Sequence, residues 1–218
     1  LANGVSWLCR QRNDYFPFRC VNRLDGGTTG LLILAKNVYS SAILYEQMKE
    51  RKIHRTYLAI VSGKLTESGT IDLPIGRKSE SVIERCVDKT HGERAVTHYE
   101  VLEARTDQTL VKCQLETGRT HQIRVQMAHH GTPLYGDMKY GVPVGTAKLD
   151  MKENADQGTM KAAGNRNMPG IRTAGNMGSG RESIALCASS LTFFHPVTKK
   201  EMTFEIEPVG GAFQLFQV

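Results

Sequence analysis

The chain has 218 residues, 40% of them hydrophobic and 23% charged, with a net charge of +6 and a pI near 9.1. That length supports one domain or two small ones with a sizeable core, and the basic balance fits a polyanionic partner. No apolar run reaches the roughly 18 residues of a membrane span and no signal-peptide pattern is visible. The five cysteines (Cys9, Cys20, Cys86, Cys113, Cys187) are scattered and include no Cys-x-x-Cys pair. They argue against a disulfide framework or a zinc site and fit a reducing, cytoplasmic location.

The first marked feature in chain order is the run from Val21 to Lys36. Arg23, Asp25, Gly26, Gly27, Thr28 and Thr29 form a polar turn, and an apolar stretch of strand length follows. Such a turn can hold a carboxylate at a sheet edge, facing a substrate; an ordinary Asp-Gly turn between strands is the alternative. Residues 31–35 are continuously apolar and predict a buried strand. Residues 40–51 predict a helix, with Leu44 and Met48 one turn apart and Lys49, Arg51 and Lys52 near its C-terminal end. Residues 56–62 and 94–103 predict strands.

In 110–116, Val111, Cys113 and Leu115 alternate with Lys112, Gln114 and Glu116, which predicts a strand with one wet face. A helix follows, with Ile123 and Met127 one turn apart and Gly131 as its stop. Residues 184–194 and 200–207 predict a strand pair turning at His195-Pro196-Val197-Thr198. The sum is a mixed α+β fold, a mainly antiparallel sheet core with flanking helices. Residues 142–182 break the rhythm, with seven glycines and no sustained period. They read as a glycine-rich, mobile insertion within one domain spanning 1–218.

Four runs carry the chemistry. They are Asn22-Arg23-Leu24-Asp25 with its glycine turn, Arg55-Thr56-Tyr57-Leu58-Ala59, Thr117-Gly118-Arg119-Thr120-His121-Gln122-Ile123-Arg124 continuing to Gly136-Asp137, and Ile184-Ala185-Leu186-Cys187-Ala188. In this order and spacing they resemble the RluA-type family of RNA pseudouridine synthases, from about residue 21 to residue 208 with one interruption.

The resemblance implies a pseudouridine synthase fold and isomerisation of uridine to pseudouridine in structured RNA, rRNA or tRNA. It implies a monomer that needs no cofactor and no metal. The reaction breaks the bond from ribose C1′ to N1 of uracil and rejoins the base through C5, so nothing is oxidised. One carboxylate must act at the sugar, and a pocket must hold the free base.

Asp25 matches the family's catalytic aspartate. Whether it attacks C1′, adds to the base or removes the C2′ proton is open. Arg124 matches the basic residue that ion-pairs with that aspartate, an arrangement that favours an ionised carboxylate. Tyr57 matches the active-site tyrosine that stacks on the base. Arg23, Thr29 and Arg119 are expected at the substrate, Arg119 on RNA phosphate or on the loop carrying Asp25. His121 and Gln122 are expected there too, orienting neighbours or bonding to backbone, and Leu186 as an apolar wall. The target uridine must be extruded, and the basic clusters 49–55 and 119–130 would grip flanking phosphates.

The chain departs from the family pattern at Asn22, Gln126 and Cys187, which stand where histidines are usual. An upstream Asn-Lys-Pro-x-Gly strand is not recognisable, so an N-terminal edge of the sheet is expected to be absent or altered. The chain starts at Leu1, which reads as a segment of a longer product. A non-catalytic RNA-binding or RNA-folding factor on the same scaffold is the alternative function. A glycoside hydrolase or glycosylase is disfavoured, because it would need a second placed carboxylate.

Overall fold

The computed structural model describes residues 1–79, 81, 83–141 and 184–216; the 142–182 insertion lies outside the described residues. Helix α1 (Ala2–Arg12) leads to β1 (Thr29–Gly30) and α2 (Val38–Lys49). Next come β2 (His54–Ser62), β3 (Gly69–Asp72), β4 (Ile75–Arg77), β5 (Arg85–Val87), β6 (Val96–Ala104) and β7 (Gln108–Leu115). Helix α3 (Gln122–His129), β8 (Leu186–Phe194), β9 (Glu201–Glu205) and a 3-10 helix (Gly211–Phe216) follow. The main sheet runs β1-β8-β2-β7-β6-β3 with β9 beside β8, and β4 and β5 form a separate pair. Among the described residues only β1 and β8 run parallel, so the expected mixed α+β architecture with a mainly antiparallel sheet is the one found. Among the described residues no helix is long and apolar enough to cross a membrane.

Strand β2 sits at the centre, and its alternation explains the two-sided core. Tyr57, Ala59 and Val61 join Val111 and Cys113 of β7, Ile123 and Met127 of α3, and Leu186 on one face. Ile60 and Leu58 join Leu110 and Cys187 on the other, under Phe213 and Phe216 of the 3-10 helix. The alternation predicts a wet face along β7. Gln114 keeps it, but Leu110 is buried because the 3-10 helix covers that end of the sheet.

The 31–35 segment is extended but not a regular strand, contrary to the sequence reading. Val21 N–H donates to the Ile33 carbonyl and Ala35 N–H to that of Arg19, while Ile33 N–H donates to the Asn22 side chain at 2.8 Å. A side-chain oxygen here stands in for a backbone carbonyl, so the ladder ends after a single bridge, Cys20 to Leu34. Ile33 and Ala35 are nonetheless buried, packing with Leu44 of α2, Ile53 and Leu191. Helix α2 begins two residues before the predicted start because the Asn37 side chain caps it, accepting from Ser40 N–H at 2.8 Å.

Helix α3 is fixed by buried amides. The Gln126 side chain accepts from the Thr97 hydroxyl at 2.6 Å and donates to the carbonyls of Ala95 and Leu73 at 2.8 and 3.1 Å. Gln122 donates to Val96 O and Thr97 Oγ1 and accepts from Thr117 Oγ1 and Arg119 N–H, all within 2.8–3.0 Å. These bonds tie the first turns of α3 to β6 and set which face of the helix looks outward. Gly131, at φ 90°, then ends the helix as the sequence predicts.

Candidate active site

Asp25 stands at the first position of a turn closed by Thr28 N–H donating to its carbonyl at 3.0 Å. Gly27, at φ 88°, occupies the third position, which needs a positive φ in a type II turn. Thr29 and Gly30 then pair with Cys187 and Ala188 of β8, where a Cβ on Gly30 would overlap the Ala188 backbone. The turn is thereby pinned to the sheet edge.

Asp25 opens into a cleft of about 340 Å³ walled by Leu24, Tyr57, Leu115, Ile123 and Leu186. Arg23, Arg55, Arg119 and Arg124 also line it, and Asp25 is the sole carboxylate on that lining among the described residues. Tyr57 is placed by an irregularity in the β2–β8 pairing. Thr56 faces Ser190 while Tyr57 faces Ala188, leaving Ser189 over. Extra residues of this kind re-aim side chains. Burial pushes the Tyr57 phenol above its ordinary value, Arg55 opposes this, and the Asp25 charge adds to it. A neutral ring beside the carboxylate results.

Arg124 departs from the sequence reading. Its Nε and Nη2 donate to the two carboxylate oxygens of Asp137 at 2.7 and 2.8 Å, both side chains being buried. Asp25 forms no salt bridge among the described residues, and Asp137 takes the Nε and Nη2 side of the Arg124 guanidinium. The Asp25 charge still reaches Arg124 through space. Burial works against the Arg124 charge, but the bonds to Asp137, aided by Asp25, more than restore it. Burial likewise raises Asp137, and hydrogen bonds from Arg124 and from the backbone of Lys139 and Tyr140 leave it below its ordinary value. The Tyr140 ring lies under the guanidinium at 5.0 Å.

The other expected residues divide. Arg23, Arg119, Gln122 and Leu186 line the cleft, whereas His121 and Thr29 do not. His121, held at φ 58°, bonds through Nδ1 to the Tyr140 hydroxyl at 2.6 Å. Burial lowers its pKa against the pull of Asp25. Gln122 spends all four hydrogen-bonding positions inside the protein, so it shapes the loop rather than reaching outward. Thr29 lies beside Cys187, and the preceding residue, Thr28, takes the cleft position. Arg119 is held by Glu93 and by the Arg94 carbonyl, a half-exposed arrangement worth little in water.

Sequence reasoning missed Asp137 and Tyr140 as the holders of Arg124, although Gly136-Asp137 belongs to one of the informative runs. It also gave no site role to Asn22 and Thr28, and placed Arg55 only within a basic cluster expected to grip flanking phosphates. Asn22 Nδ2, Thr28 Oγ1 and Arg55 Nε are buried on the cleft wall without a hydrogen-bond partner. Unmatched buried groups of this kind cost about 1–3 kcal/mol each.

A family described as RNA pseudouridylate synthase matches residues 8–129. The chain belongs to that family. It is 38% identical over 205 residues to the RNA pseudouridine synthase YjbO of Bacillus subtilis (strain 168), covering 94% of this chain and 60% of the relative. It is 49% identical over 145 residues to YlyB of the same organism, covering 65% and 48%. It is 39% identical over 178 residues to ribosomal large subunit pseudouridine synthase D of Xanthomonas campestris pv. campestris, covering 82% and 47%. The chain thus spans about half to three fifths of the length of these relatives. The human protein RNA Pseudouridylate Synthase Domain Containing 1 shares the fold, with a TM-score of 0.66 at 24% identity, covering 98% of this chain and 83% of that one.

Proposed function

We propose that this protein isomerises uridine to pseudouridine in structured RNA. Ribosomal RNA is the favoured substrate class, because a relative at 39% identity is named for the large ribosomal subunit; tRNA is the other candidate. The observation that carries the reading is the cleft itself, with one carboxylate on a pinned glycine turn, a buried ring beside it and four arginines around it. An extruded uridine would stack on Tyr57 against Leu186 and Ile123, with its sugar at Asp25.

Asp25 then acts at the ribose, removing the C2′ proton or attacking C1′ as the C1′–N1 bond breaks. The freed uracil turns within the apolar walls, and C5 bonds to C1′ as the Asp25–C1′ bond breaks or, on the other route, as Asp25 returns the proton to C2′. The proton lost from C5 balances the one gained at N1, so no external reagent is consumed. Arg124 supplies a fixed positive charge near the reacting centre, positioned by Asp137 and Tyr140. A single carboxylate leaves a hydrolase without its usual second acid. Arg23 and Arg119 would hold flanking phosphates, and the site as read needs no metal or cofactor.

The experiment is to map pseudouridine across total RNA from cells with and without the gene. Loss of modification at one or a few uridines, restored by the wild-type chain, is the expected result. An unchanged map would favour a non-catalytic RNA-binding role.

A further inference from the structure

The cleft does not end at Tyr57. A second groove of about 660 Å³ shares Met48, Arg55, Leu115, Gly118 and Arg119 with it and continues past the C-terminal end of α2. Lys49, Arg51 and His54 line this extension. Its sole carboxylate among the described residues, Glu116, is bonded to His98 at 2.8 Å and to Arg94 at 3.4 Å. The groove therefore carries net positive charge over partly apolar walls, a combination that suits single-stranded nucleic acid.

Arg55 stands at the junction of the two spaces. Its guanidinium lies so close over Gly118 that a Cβ there would be 2.7 Å from Nη1 and 2.8 Å from Nη2. Its Nε is buried without a partner. A glycine under an arginine with a spare donor, where two grooves meet, is a saddle over which a chain of phosphates can pass.

We infer that the second groove carries the unpaired RNA strand flanking the target uridine, and that Arg55, seated on Gly118, clamps the phosphate at the crossing. This rests on the proposed function for the identity of the strand. Proteins that read RNA by sequence mostly target loops, bulges and ends, where an extruded base adjoins an unpaired flank.

The test is binding of a short fluorescein-labelled oligouridylate by anisotropy against KCl concentration, with all variants built on Asp25→Asn. Turnover then plays no part, and a failure of the catalytic reading shows separately as residual isomerisation by Asp25→Asn. Each lost phosphate contact should make the slope of log K against log [KCl] shallower by about 0.7. Arg55→Gln should lose about 0.7, and the exposed pair Lys49→Gln/Arg51→Gln about 1.4.

Gly118→Ala should weaken binding by displacing the end of the flexible Arg55 side chain, and adding it to Arg55→Gln should cause no further loss. Arg55→Lys should retain the slope while losing part of the affinity. Unchanged slopes in Arg55→Gln and in the Lys49/Arg51 pair would overturn the inference. So would a duplex RNA that competes as well as the single strand, or a Gly118→Ala effect that adds fully to Arg55→Gln.

Discussion

Asp137 is the residue whose loss should be felt most widely, because it holds Arg124 and organises the turn beneath it. Asp137→Asn leaves a buried guanidinium uncompensated, which costs about 3–5 kcal/mol. Replacing both partners, as in Arg124→Met/Asp137→Leu, should recover much of that, since two apolar groups need no pairing. The carboxyl lies below its ordinary value of 3.8 in the folded state. Its contribution is thus present above that value and is lost as pH falls through the lower, folded value. Urea unfolding followed from neutral to acid pH should show a steeper fall for wild type than for Asp137→Asn; parallel curves would refute the linkage. On the proposed function, the Tyr57 ring rather than its hydroxyl is the minimum needed to hold a freed uracil. Tyr57→Phe should accordingly keep more single-turnover activity than Tyr57→Ala, and equal, complete loss in both would point to an essential hydroxyl.

Helix α3 shows how an element can be legible while its fastening is not. Its 3.6-residue pattern and Gly131 stop are visible in sequence. A glutamine at 126, by contrast, gives no sign that it will accept from Thr97 and donate to two carbonyls of neighbouring segments. Gln126→Leu keeps the volume but strands those groups, so it should destabilise the fold by several kcal/mol, at about 1–3 kcal/mol for each orphaned group. Denaturant unfolding measures it, and a loss under 1 kcal/mol, roughly a single weak hydrogen bond, would mean that the network contributes little. Strand β7 was readable from its alternation, and β2 from a continuous apolar run bounded by Gly63, because burial on one face or on both leaves those two patterns. The 31–35 run misled because apolar content reports burial, not pairing, and the Asn22 side chain had already taken a ladder position. Elements as short as β4 and β5 leave too few residues for any period to emerge.

At the scale of the molecule, four motifs far apart in sequence converge because β2, β8, α3 and the turn before β1 meet around one cleft. That convergence was implied by the resemblance of the four motifs to the family. The direct Asp25–Arg124 pair was not what formed, since linear spacing says nothing about which carboxylate fills a guanidinium fork. The switch from Thr29 to Thr28 follows from strand alternation, where one residue of register reverses the face. Only part of the basic clusters (Lys49, Arg51, His54, Arg55, Arg119 and Arg124) comes together in three dimensions, on the linings of two joined grooves. The central proposal is that Asp25 alone performs the chemistry. The most direct measurement is single-turnover pseudouridine formation by purified Asp25→Asn, on an RNA carrying a uridine identified by mapping, with RNA affinity measured alongside. Abolished isomerisation with affinity near that of wild type is the predicted result. Clear residual turnover in that variant would contradict the account.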